Sequence, residues 1–231
     1  MMNDYTDLEK QIEIKFENEE LITKAFTHKS YINENRDKGM MHNERLEFLG
    51  DAVLELAATE HLFHKYPDQD EGQMTSFRSA LVKGKHLAEV AKELNLGKYL
   101  FLSKGEEKSG GRTKNYILAN TVESLIGAIY LEYGYDDSKR FIKQFILKRL
   151  DDIIDQGLHI DAKSRFQELA QEKLGITPHY EVLSEAGPDH DKKFKMGAYI
   201  GEELVAEGVH SSKQNAEQVA AENALVKKEW A

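Results

Sequence analysis

The pattern of hydrophobic and polar positions divides the chain into two stretches with different periods. From the N-terminus to about residue 155, apolar residues recur at three- and four-residue spacing, the helical signature. The segments that carry it are LEKQIEIKF, ELITKAFTH, HNERLEFLGDAVLELAATEH (42–61), QMTSFRSALVKGKHLAEVAKEL, NYILANTVESLIGAIYLEY and DDSKRFIKQFILKRLDDII. None alternates as a strand does. The intervening SKGEEKSGGRTK (103–114) mixes Gly with charge and reads as a mobile loop. The period changes after LDDIIDQGLHID. A short helix from Asp161 puts Phe166, Leu169, Ala170 and Leu174 on one face. PHYEVLSEAG and KKFKMGAYIG then alternate with period two. In the second, Phe194, Met196, Ala198 and Ile200 face one way and Lys193, Lys195 and Tyr199 the other. EELVAEGV gives a third strand, and SSKQNAEQVAAENALVKKEW closes as a helix burying Ala216, Val219, Ala220 and Ala224. The predicted architecture is an all-α domain over 4–155 followed by a small α+β domain, helix, three strands, helix, over 161–231.

Within the helix predicted over 42–61, Glu44, Glu47 and Asp51 fall within an arc of about 60°. Leu46, Leu49, Val53 and Leu56 form a stripe roughly opposite, so one face reads as core and the other as solvated acid. The acid stripe, however, runs on into Leu54 and Ala58, and Ala52, Ala57 and Ala58 imply burial around most of the circumference. Acids placed so repel one another and need a positive partner. In ILANTVESLIGAIYL (117–131) the only charged residue is Glu123, one turn from Asn120. A lone carboxylate in so apolar a helix is costly unless it is paired or binds a metal. Arg45 and Arg78 are available as the ion-pair alternative. If the two helices lie side by side, Glu47, Asp51, Asn120 and Glu123 make an all-oxygen cluster. Such ligands favour Mg²⁺ or Mn²⁺ over softer metals.

Composition narrows the picture. The chain has no Cys, which excludes disulfides and thiolate metal sites and points to the cytoplasm. No apolar run approaches the roughly 20 residues that span a membrane, and the start, MMNDYTDLEKQ, is not a secretory signal. No HExxH or GxSxG motif competes with the acid cluster. The formal net charge is −10, which argues against coating nucleic acid by bulk positive charge. Residues 161–231 hold nine Lys and Arg against thirteen Asp and Glu, a net −4. Any nucleic-acid binding there rests on placement.

NERLEFLGDAVL (43–54) resembles the signature of the ribonuclease III family almost letter for letter. The likeness extends in order to AFTHKSY (25–31), EGQMTSFRSALV (71–82), GEEKSGGR (105–112) and LANTVESLIGAIYLE (118–132), and the C-terminal segment is similar to a double-stranded-RNA-binding domain. The resemblance implies a magnesium-dependent endoribonuclease of double-stranded RNA, with manganese as a possible substitute. It acts as a homodimer whose two sites each cut one strand to leave 3′ overhangs. Carried over, the metal and catalytic positions are Glu47, Asp51, Asn120 and Glu123, with Asp51 and Glu123 central to the chemistry. Glu44 and Glu71 are supporting acids, although Glu71 equally reads as an acid favoured by a helix N-terminus. Phe48 matches the aromatic that inserts into the partner subunit. RNA contacts fall on Gln167, Glu168, His190, Lys213 and Gln218, with Ser211 or Ser212 capping the last helix. Lys192, Lys193 and Lys195 either add charge or form a solvated strand face. The implied substrates are structured ribosomal precursor RNA and some messenger and transfer RNA. Two positions depart from the family pattern: Asn120 stands where Asp is usual, and Gln214 where a second Lys is common. The first leaves open a catalytically weakened RNA-binding regulator; a helical phosphohydrolase of small nucleotides is disfavoured by the C-terminal module.

Overall fold

The computed structural model of the chain describes residues 4–35, 39–155, 157, 161–188 and 192–230. The backbone divides into two units, 1–159 and 160–231, each with its own apolar core. In the first, α1 (Thr6–Ile12), α2 (Glu19–Ala25) and α3 (Lys29–Glu34) lead to the long α4 (Glu44–Lys65). α5 (Glu71–Val82), α6 (Gly84–Glu93) and the short α7 (Lys104–Lys108) follow, then α8 (Asn115–Tyr133), α9 (Tyr135–Phe145) and α10 (Leu150–Asp155). The apolar run after residue 71 is two helices because the backbone turns extended at Lys83 (φ −60°, ψ 132°). No helix among the described residues is long and apolar enough to cross a membrane.

The unit is built around α4 packed along α8. Asn43 fixes where α4 begins, but not by capping it. It is buried, its N–H donates to Thr27 O at 2.9 Å, and its side chain donates to Ala25 O at 3.3 Å. Eleven of the nineteen residues of α8 are buried, from Ile117 to Ile129, so this helix is the centre of the core. The buried arc of α4 comprises Leu46, Gly50, Val53, Leu54, Ala57, Ala58 and Leu62. This corrects the expected division of the helix. Leu56 and Ala52 are exposed, and the acids lie in the angular direction of Leu54, Ala58 and Leu62 rather than opposite the core.

The segment 103–114, expected to be mobile, is held in place. Ser103 Oγ caps α7 by accepting from the Glu106 N–H at 3.0 Å. Lys114 pairs with Glu106 at 2.6 Å, and Arg112 pairs with Glu107 and donates to the carbonyls of Gly97 and Leu100, both at 2.9 Å. Fixings between side chains and backbone leave no periodic trace in a sequence.

In the second unit, α11 (Ala162–Leu174) precedes a three-stranded antiparallel sheet of β1 (His179–Ala186), β2 (Lys193–Ile200) and β3 (Glu203–His210), in the order β1-β2-β3, and α12 (Lys213–Lys227) closes it. Met196, Ala198 and Ile200 of β2 are buried, as their alternation predicts. The core joins Phe166, Leu169 and Ala170 to Ala198, Val205, Ala220, Ala221, Ala224 and Leu225. Two expected core positions shift outward. Leu174 is 48% exposed, being the last residue before Gly175 ends α11 in a left-handed turn, and Val219 is only half-buried, with Ala221 and Leu225 taking that side of α12.

Candidate active site

The three acids of α4 have different surroundings. Glu44 is half exposed, with the Lys29 ammonium at 3.0 Å and the His42 ring at 3.7 Å. The Lys29 hydrogen bond holds its carboxyl below the usual range. Glu47 is half-buried and accepts from Asn120 Nδ2 of α8 at 2.8 Å. Burial pushes its pKa up, the Asn120 hydrogen bond opposes this, and the charges of Glu44 and Asp51 push it further up. Asp51 is exposed.

Glu123 of α8 is the decisive residue. Burial raises its pKa to about 7, and the neighbouring Asp51 and Glu47 carboxylates add to the shift. No cation offsets it. Arg78, one of the two candidate partners, instead pairs with Glu55 at 3.0 Å and donates to Thr59 at 3.0 Å. Among the described residues Glu123 has neither an ion pair nor a hydrogen bond, and Arg45 is not paired with it. The ion-pair alternative therefore fails. What remains is an uncompensated group of carboxylates on two helices, an arrangement that calls for a cation.

The helices hold these acids together through two glycines. A Cβ on Gly50 would land on the carbonyl oxygen of Glu123, and a Cβ on Gly127 on the carbonyl oxygen of Leu46. Only with hydrogen at both positions do the backbones of α4 and α8 approach so closely, one turn from the acids. Both glycines escaped the sequence reading. The available signal was an isolated Gly inside each of two strongly apolar helical patterns, which often marks a close backbone approach.

The carboxylates feel one another's charge without converging to a finished cage. Among the described residues, no three Asp, Glu or His side chains are gathered closely enough to hold an ion. Asn120 turns its amide nitrogen toward Glu47, which suits two side chains facing each other alone. A half-turn of that amide would present its oxygen instead, the atom able to ligate a cation. The donor set of three carboxylates and one carboxamide then fits a hard divalent cation.

Other sequence-predicted residues fall elsewhere. Glu71, in the first turn of α5, lines a recess with Thr59, Phe63 and Arg78, toward the far end of α4, and not the acid cluster. In the second unit Gln167 and Glu168 are exposed on α11, with Arg165 at 3.7 Å from Glu168. Gln218 is half-buried and donates to Asp161 at 2.6 Å, tying α12 to the start of α11. Ser212, not Ser211, caps α12 by accepting from the Asn215 N–H at 3.3 Å. Lys213 opens that helix and pairs with Glu185, a partner the sequence reading missed. Lys192 also pairs with Glu185, and Lys195 with Glu207. His190 lies outside the described residues.

Known proteins share this plan. Residues 18–150 match the family model described as Ribonuclease-III-like, and residues 162–227 match the double-stranded RNA binding motif. Ribonuclease 3 of Listeria innocua is 42% identical over 97% of both chains, and Ribonuclease 3 of Natranaerobius thermophilus is 45% identical over 97% of this chain and 96% of its own. The solved nuclease domain of ribonuclease III from Campylobacter jejuni, reported for flexibility in a region involved in dimer formation, is 41% identical with a TM-score of 0.59; the match covers 63% of this chain and 97% of that one. With a family model spanning more than half its length and relatives matched nearly end to end, the chain belongs to the ribonuclease III family.

Proposed function

We propose that this protein is an endoribonuclease of double-stranded RNA in which Glu47, Asp51, Asn120 and Glu123 bind the catalytic divalent cation and two copies of the chain form the working unit. The observation that carries the reading is Glu123, a carboxylate in the core helix with two further carboxylates as its charged neighbours and no cation to balance them. A selected fold does not keep such a group for stability alone, since a neutral residue there costs less. When bound, Mg²⁺ or Mn²⁺ stabilises charge on the phosphodiester and lowers the pKa of the attacking water. The chain supplies the rest. Glu123 and Glu47 hold the ligand set from the buried side, the exposed Asp51 faces the substrate side, and the glycine contact between α4 and α8 fixes their spacing. The α+β unit carries the duplex to the site by reading the shape of the A-form helix. The proposed substrates are structured RNA precursors, ribosomal above all, in the cytoplasm that a Cys-free composition suits.

Asn120 is a ligand in this reading, not a sign of decay. It keeps an oxygen donor but removes one negative charge, so metal binds less tightly than it would with Asp. The Asn120→Asp variant is expected to reach half-maximal cleavage at a severalfold lower Mg²⁺ concentration. Equal half-saturating concentrations for the two proteins would remove Asn120 from the ligand set.

The dimer accounts for the outer face of α4. Phe48 is 80% exposed, and Leu56 and Phe63 are each more than half exposed. With Ala52 they fall within an arc of about 80°. An apolar stripe of this length on a surface helix marks a protein interface, and a second copy of the same helix is the self-complementary partner. Each protomer then cuts one strand, giving staggered ends. Phe48→Asp is expected to shift the protein from dimer to monomer in sedimentation equilibrium while its helical content is kept. A variant that sediments as the wild type does would place the interface elsewhere.

A further inference from the structure

The second unit presents its positive charge in an unexpected state. Among the described residues, six of its nine cations stand in ion pairs with carboxylates of the same unit. One carboxylate takes two of them. Glu185, near the end of β1, holds Lys192 Nζ at 2.6 Å on one oxygen and Lys213 Nζ at 2.9 Å on the other. Its cross-strand partner on β2 is Phe194. Both ammonium groups also lie over the Phe194 ring, at 5.5 and 5.3 Å from its centroid. Lys213 is the first residue of α12, whose capped N-terminus directs free amides outward. Two ammonium groups beside a helix N-terminus make a surface suited to phosphate. Glu185 sits where the phosphate charge would go.

We propose that Glu185 is an internal competitor of the RNA backbone: its carboxylate occupies Lys192 and Lys213, and so sets the affinity and the salt dependence of duplex binding. The inference rests on the duplex-binding reading of this unit and adds to it the residue that limits that binding. The side chains of Glu185 and Lys213 are about one-third and one-half exposed, and exposed ion pairs contribute little stability. The clasp therefore opens at small cost when a phosphate arrives. Even when open, it leaves a negative charge beside the phosphate and returns part of the cationic charge to itself. An acidic protein that must bind and release many RNA stems gains fast exchange from such a device.

The test uses the full chain, with EDTA present to prevent cleavage, and a perfect RNA duplex of about 20 base pairs, long enough for one such domain. Dissociation constants are measured across a range of KCl for the wild type, Glu185→Gln, Lys213→Gln and the double variant. Glu185→Gln is expected to bind roughly 3- to 10-fold more tightly at moderate salt, with a slope of log K against log salt steeper by about one unit, because one more phosphate contact releases counterions. In the Lys213→Gln background the gain should shrink markedly. Unchanged or weaker binding by Glu185→Gln, with the wild-type slope, would overturn the proposal and make Glu185 a support that positions the lysines. A gain that survives undiminished without Lys213 would overturn it equally. If no protein in the set binds the duplex, it is the duplex-binding reading that falls.

Discussion

Glu123→Gln is expected to slow cleavage severely and, in the absence of divalent cations, to make the protein more stable. The two effects share one cause. Glu123 titrates at about 7 in the folded chain, against an ordinary value of 4.5, so the folded state holds this proton more tightly than the unfolded state does. Below about pH 4.5 both states carry the proton and the residue costs nothing. As pH rises toward 7 the unfolded chain releases its proton while the folded chain retains it, and stability declines. Above 7 the folded protein carries a charge that burial and two neighbouring carboxylates disfavour. A shift of this size corresponds to on the order of 3 kcal/mol before screening, and partial solvent screening brings it to about 1–2 kcal/mol. The neutral Gln removes this cost, so at pH 8 in EDTA the variant should melt about 2–8 °C higher, and at pH 5 the gap should narrow. Mg²⁺ should raise the melting temperature of the wild type and much less that of the variant, because a ligand stabilises only the state that binds it. Cleavage should fall by roughly 10²- to 10³-fold or more, the scale seen when a group that stabilises transition-state charge is removed. Calorimetry at the two pH values and a cleavage assay check all of this. A variant less stable than the wild type at pH 8 would mean that Glu123 has a stabilising partner after all.

Gly127→Ala should be among the most damaging single changes in the catalytic unit. Helix propensity alone predicts a gain, since Ala is favoured over Gly within a helix by about 1 kcal/mol. Packing predicts the reverse. The added methyl would lie on the carbonyl oxygen of Leu46, with Gly50 of α4 also close, and backbone cannot rotate away as a side chain can. Overpacking a rigid core costs about 1–3 kcal/mol, and a methyl driven into helix backbone belongs at or above the top of that range. The expected loss is about 3 kcal/mol or more, a melting temperature lower by about 6–12 °C. Cleavage should fall further than stability alone accounts for, because forcing α4 from α8 separates Glu47 and Asp51 from Glu123. Gly105→Ala in α7 is the control. Its methyl would meet nothing nearer than the Ser103 hydroxyl at 3.9 Å, so its melting temperature should stay near that of the wild type. Equal behaviour of the two alanine variants would show that the helices do not need the glycine contact.

The outcome at these residues shows which features a sequence displays and which it hides. The long helix around Glu47 and the core helix around Glu123 are legible because each buries apolar residues over many turns, and period is a property of sequence. That Asn120 and Glu123 share a turn facing the α4 acids follows from the same geometry. The direction of the acid stripe is hidden in the sequence because the buried arc of α4 is wide. Leu56 looked like a continuation of Leu46 and Val53, yet it lies on the outer face with Phe48 and Phe63. A leucine exposed on an outer face is indistinguishable, by pattern, from a leucine in a core. The order in segment 103–114 was hidden because it depends on Arg112 reaching carbonyls more than ten residues back. Glu185 was invisible for a similar reason. Its two lysines follow at seven and twenty-eight residues' distance, and only the antiparallel sheet and the start of α12 bring them to one carboxylate.

Metal-dependent cleavage is measured by incubating the purified protein with a long, perfect RNA duplex while Mg²⁺ is raised from none through the millimolar range. No cleavage is expected without the cation, then conversion to short duplexes with staggered ends, saturating as the site fills. Binding of the duplex without cleavage at any concentration of Mg²⁺ or Mn²⁺ would contradict this. Asn120 would then mark a site that has lost its metal chemistry, in a protein that binds duplex RNA and does not cut it.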